Sequence, residues 1–100
     1  MSVYLMLTTL TDAGRKALQD DPELLKQINK ETEFMGVKIL TQYALLGQYD
    51  FINILEAPSN EAIAKLAIRL SARGTTQTLT LTAIPIDDLV STLKNRESPW

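Results

Sequence analysis

The chain contains no cysteine and no histidine. Without cysteine there is no disulfide, no thiolate nucleophile and no thiolate metal site. Without histidine the usual general base near neutral pH is missing, and so is the commonest ligand of zinc, iron or haem. A metal would need a site made of carboxylates and other oxygens, and neither a metal nor a cofactor is expected. No apolar run approaches the roughly 18 residues of a membrane span, and no charged leader with an apolar core opens the chain. The expected setting is cytoplasmic, with no membrane partner. Ten basic residues stand against twelve acidic ones, a net charge of -2, with no basic patch of the kind nucleic acid requires. Glycine and proline are scarce, four of each, so each one marks a turn or an element boundary.

What is present is globular. One hundred residues, 45% hydrophobic and 22% charged, make a single domain and exclude disorder. A chain of this size buries only about 60–70% of its unfolded surface, so a partner is a natural supplement to its core.

Val3 to Leu10 reads as a first strand, apolar on both faces. Thr11 and Asp12 cap a short helical turn through Leu18. Asp21-Pro22-Glu23 has the form of a helix start, with a cap, a proline and an acid in the first turn. The helix that follows carries Leu24, Leu25, Ile28 and Met35 on one side and stops at Gly36. Val37 to Leu46 and Tyr49 to Ala57 are strands. Ser59 caps a helix whose Ile63, Leu66, Ala67 and Leu70 fall at i, i+3, i+4, i+7, ended by Gly74. Thr75 to Ala83 alternates Thr with Leu as a fourth strand. After Pro85, Ile86, Leu89, Val90 and Leu93 return to helical spacing. The order is β-α-β-β-α-β plus a C-terminal helix. The expected fold class is α+β, ferredoxin-like, with two helices on one face of a four-stranded antiparallel sheet. Residues 1–95 form the domain and 96–100 a tail ending in Trp100.

If Gly47-Gln48 is a two-residue hairpin turn, the register follows. Leu46 faces Tyr49, Ala44 faces Phe51, Gln42 faces Asn53 and Leu40 faces Leu55. On the reverse face Tyr43 meets Ile52 and Thr41 meets Ile54. The second set, with Leu5, Leu7, Leu79 and Leu81, is the expected helix-facing core. The opposite face then holds Tyr4, Met6, Thr8, Leu40, Gln42, Tyr49, Phe51, Asn53, Leu55, Thr78 and Thr80. That surface is too apolar for water. A second copy covering it would give an isologous dimer with Met6, Phe51, Leu55 and Thr78 at the interface. Cover by the chain's own C-terminal helix is the competing expectation.

Gly47-Gln48-Tyr49-Asp50, followed by a strand ending Glu56-Ala57-Pro58, resembles the GYD-domain family of small bacterial proteins. The similarity extends to Tyr4-x-Met6, the Thr11-to-Gly14 turn and Gly36-Val37. The resemblance implies a domain of the dimeric α/β-barrel kind and says little of activity. Relatives of that barrel include cofactor-free monooxygenases, isomerases, haem-handling enzymes and amino-acid-sensing modules, and fold analogy does not choose among them.

Two functional classes follow. The first is a homo-oligomeric module, structural or binding a small molecule, with Tyr4, Gln42, Asn53 and Thr80 as ligand-binding candidates in a cleft between sheet and helices. The same polar groups serve equally as ordinary cross-strand pairs. The second is a histidine- and metal-independent enzyme, monooxygenase- or isomerase-like, with Tyr49 and Asp50 as catalytic candidates on a small hydrophobic substrate. Asp50 is a general base only if burial raises its pKa; its plainer role is to accept hydrogen bonds near the hairpin. A regular strand sends Tyr49 and Asp50 to opposite faces, so both reach one pocket only through a bulge. A third class, a sensing domain working with a separate DNA-binding protein, predicts ligand-dependent assembly.

Overall fold

The structure is a computed structural model that describes residues 1–95; the expected tail with Trp100 lies outside the described residues. The elements are β1 (Ser2–Leu10), α1 (Asp12–Asp20), α2 (Leu24–Phe34), β2 (Lys38–Ala44), β3 (Phe51–Ala57), α3 (Asn60–Ser71), β4 (Thr76–Ala83) and α4 (Ile86–Lys94). The sheet order is β2-β3-β1-β4, antiparallel throughout, which is the ferredoxin-like arrangement.

Local chemistry accounts for most boundaries. Thr11 Oγ1 accepts from Gly14 N at 3.1 Å and Ser59 Oγ from Ala62 N at 3.2 Å, so each hydroxyl satisfies a donor that the first helical turn leaves free. Asp21 Oδ1 accepts from Glu23 N at 3.2 Å; that turn precedes α2, which begins at Leu24. Gly36 and Gly74 adopt φ of +84° and +74°, the left-handed conformation that lets a chain leave a helix sharply.

The hairpin register agrees with expectation from Ala44 opposite Phe51 to Thr41 opposite Ile54, then changes. Ile39 pairs with Leu55, leaving Leu40 as the extra residue of a β-bulge. The turn is also wider than two residues. Leu45 N donates to Asp50 O at 2.8 Å, so Leu46 to Tyr49 form the loop and the expected Leu46–Tyr49 pairing does not occur.

The two sheet faces are the reverse of those expected. Tyr4, Met6 and Leu55 are buried with Ile63 and Leu66 of α3 in the core, Met6 being 1% and Leu55 2% exposed. Thr78 and Thr80 share that parity, beside Thr8 and Met6 of β1. Met6, Phe51, Leu55 and Thr78 therefore lie under the helices instead of at a partner interface. The physical reason is that period-two alternation fixes parity only, and both parities here are apolar. The open face carries Leu5, Leu7, Ile52, Ile54, Leu79 and Leu81 in two rows: Tyr43–Ile52–Leu7–Leu79 and Thr41–Ile54–Leu5–Leu81. Leu79 and Leu81 are 44% and 48% exposed and Tyr43 61%. The chain's own C-terminal helix does not cover this face, because every residue of α4 is itself exposed.

Candidate functional site

On the helix side, α2 lies over β2 while α3 lies over β3 and β4. A cleft of about 100 Å³ sits there, lined by α1, α2 and the end of α3 above residues of β1, β2 and β3. Its walls are apolar: Leu10, Ala17, Leu18, Leu25, Ile28, Phe51 and Leu70. Gly14 makes the close approach of α1 possible, since the helix rests directly on the Thr75 carbonyl.

The polar part of the lining is an amide relay. Asn29 Nδ2 donates to Gln42 Oε1 at 2.8 Å, and Gln42 Nε2 returns a bond to Asn29 Oδ1 at 3.0 Å. Gln42 Nε2 also donates to Asn53 Oδ1 at 2.6 Å. Gln42 and Asn53 meet because they are directly opposed across the hairpin; Asn29 reaches them from α2. Sequence reasoning missed Asn29, although an amide beside Ile28 and four residues after Leu25 lies next to the helix's apolar stripe.

Charge enters on one side only. Arg73 lines the cleft and also a neighbouring hollow of about 350 Å³ with Leu24, Gln27, Ile28, Glu31 and Thr75. Arg73 Nη2 donates to Glu31 Oε2, and Arg69 Nε donates to Glu31 Oε1 at 3.0 Å. The hydrogen bond from Arg73 holds the Glu31 carboxyl below its usual range, against an opposing contribution from burial and with further help from Arg69.

The sequence candidates separate. Gln42 and Asn53 line the cleft. Tyr4 is buried in the core, its hydroxyl donating to Asn60 Oδ1, and Thr80 Oγ1 is a buried hydroxyl with no partner among the described residues; neither lines the cleft. Tyr49 is half-buried in the hairpin loop. Asp50 Oδ2 accepts from Leu10 N at 2.7 Å, while Asp50 N donates to Thr8 O at 2.8 Å. The carboxylate thus extends the ladder between β3 and β1 by standing in for a backbone carbonyl. Tyr49 and Asp50 do not line the cleft. Among the described residues, no group of three or more Asp or Glu side chains is placed to hold a metal, and no helix is long and apolar enough to cross a membrane.

The role of Asp50 gives a direct test. Asp50→Ala should destabilise the fold by about 1–2 kcal/mol, because Leu10 N–H loses a charged acceptor. Asp50→Asn keeps an acceptor oxygen and should lose less than about 1 kcal/mol. Urea denaturation of the two variants checks the order; an Asp50→Ala protein as stable as the unmodified one would mean that the bond to Leu10 contributes nothing.

Fold and cleft together define a small ferredoxin-like α+β domain with an amide-floored hollow under its helices. The chain belongs to the GYD domain family, whose sequence profile matches residues 4–93. It is 43% identical over 95 residues to a Thermus thermophilus protein described as a glutamine synthetase and cystathionine beta-lyase binding protein, covering 94% of this chain and 100% of that relative. Among solved structures, FFRP-DM1 superposes with a TM-score of 0.56 at 20% identity, over 84% of this chain and all of that one. The leucine response regulatory protein LrpA of Mycobacterium tuberculosis gives a TM-score of 0.52 at 12% identity, over 84% of this chain and 51% of LrpA. At such identities the two structures speak for the fold alone.

Proposed function

We propose that this protein is a self-associating binding module whose partners are other proteins. The observation that carries the reading is the uncovered apolar face of the sheet. Its two cross-strand rows place Leu5, Leu7, Ile52, Ile54, Leu79 and Leu81 together, with no helix above them among the described residues. A contiguous apolar surface of this kind marks an interaction site. A second copy is the occupant that the surface fits, because a two-fold axis sets the same rows against each other. The exposed apolar stripe of α4, Ile86, Leu89, Val90 and Leu93, follows closely on β4 and supplies further apolar area to the same assembly.

The protein-binding part of the reading is supported by the Thermus thermophilus relative, described as binding two enzymes. The enzymatic alternative, a histidine- and metal-independent catalyst, has less behind it. Asp50 is already used by Leu10 N–H and lies outside the cleft, so its candidate general base is not placed beside a substrate.

Multi-angle light scattering tests self-association. A dimer has twice the 11.2 kDa chain mass, 22.4 kDa; a stable monomer at micromolar concentration sinks the dimer. Titration of the purified protein into purified glutamine synthetase and into cystathionine beta-lyase tests the partner class, and no heat or mobility change with either enzyme sinks that part.

A further inference from the structure

The cleft lies on the helix side of the sheet, away from the open apolar face, and has a chemistry of its own. Once the three amide–amide bonds are made, Asn53 Oδ1 is occupied, but among the described residues nothing accepts from Asn53 Nδ2. Asn29 Nδ2 has one bond to Gln42 and a second hydrogen to give. The Thr8 hydroxyl, also on the lining, makes no side-chain hydrogen bond among the described residues. The floor is therefore neutral and has donors to spare, while the walls are aliphatic and aromatic. Among the described residues the one charged side chain of the lining is Arg73, answered by Glu31 at the side of the cleft.

We propose that the cleft is a binding site for an uncharged small molecule that carries a carbonyl or carboxamide on a short branched aliphatic body. The carbonyl oxygen accepts from Asn53 Nδ2 and Asn29 Nδ2, and the body lies among Leu18, Leu25, Ile28 and Phe51. A neutral head suits this floor because the amides offer hydrogen bonds but no charge, and the cation beside them, Arg73, is already paired with Glu31. Size limits the body. An apolar cavity of about 150 Å³ holds a benzene ring, so the 100 Å³ cleft takes a branched tail of about four carbons beside its polar head. Anything longer runs out past Arg73 into the neighbouring hollow, where Gln27 and Glu31 tolerate polar groups. The site is a pocket of the individual chain and does not depend on the open sheet face.

The test uses two probes of the same shape on the full chain, isovaleramide and isovalerate, followed by two-dimensional amide NMR. Isovaleramide should bind with a dissociation constant on the order of 1 mM, as its few heavy atoms permit. Its shifts should concentrate on the side-chain amides of Asn29, Gln42 and Asn53, with isovalerate at least about tenfold weaker. Asn53→Leu removes the free donor and should abolish the amide's effect while leaving the backbone spectrum folded. If Asn53→Leu does not fold, Ala17→Leu, which fills the cleft from α1, decides in its place. Isovalerate binding as well as the amide overturns the neutral class. Unchanged amide binding in the folded variant overturns the site, and so does the absence of any shift at about 20 mM probe. None of these outcomes bears on whether the protein dimerises, which the mass measurement decides separately.

Discussion

Gly14→Ala should destabilise the protein by about 3 kcal/mol or more, an overpacking penalty, although alanine favours helix over glycine by about 1 kcal/mol. The new Cβ would lie 2.0 Å from Thr75 O, 2.9 Å from Thr75 C and 3.2 Å from Leu10 Cδ2. The first two are backbone atoms and cannot swing aside. Thr75 O is held by Thr11 N at 3.0 Å, and Thr11 Oγ1 donates to Gly74 O at 2.7 Å. Relief thus requires α1 to lift and at least one of these bonds to break. Gly14 and Thr75 also line the cleft, so a lifted α1 changes its shape as well. Gly36→Ala is the control. Its φ of +84° makes a side chain unfavourable, but nothing lies within 4 Å of the added atom, so the cost should stay near 1–2 kcal/mol. Urea unfolding of both variants distinguishes a steric seat from a conformational preference. A Gly14→Ala protein as stable as Gly36→Ala would show that α1 does not rest on the Thr75 carbonyl.

The chain spelled out its elements more clearly than its faces. Ser59 and Thr11 act as caps, Gly36 and Gly74 end helical turns, and Gln42 pairs with Asn53, each from local chemistry that a few neighbouring residues suffice to specify. The bulge at Leu40 was not legible, because an exposed leucine on an edge strand carries no mark of being the extra residue. The Gly47 loop is wider than its glycine implies. Backbone geometry alone allowed a two-residue turn there, but Leu45 closes on Asp50, whose carboxylate then holds Leu10 N–H, and Tyr49 falls in the wider loop. Half of the cleft's amide relay was visible from the register. The other half, Asn29, needed the position of α2 over β2, a long-range fact. Which face the helices cover was undecidable from alternation, since Met6 and Leu7 are equally apolar and differ only in parity.

That neighbouring pair therefore gives the sharpest test of the architecture. Met6→Asp should unfold the chain or destabilise it by at least about 4 kcal/mol, in the range reserved for unpaired charge in a core, because Met6 is 1% exposed and packs with Leu55 and Leu66. Leu7→Asp puts the same carboxylate on the open face, where water reaches a lone chain, and its circular dichroism spectrum should remain native. Its effect should appear in assembly. Loss of a central apolar contact is worth about 2 kcal/mol per copy, and an isologous interface takes every substitution twice. The proposed dimer should weaken by about 4 kcal/mol, roughly a thousandfold in dissociation constant, and light scattering should find the monomer. If the consequences exchange, with Leu7→Asp unfolding and Met6→Asp merely dissociating, the helices cover the other face. If Leu7→Asp is folded and still dimeric, the sheet face is not the surface on which the two copies meet.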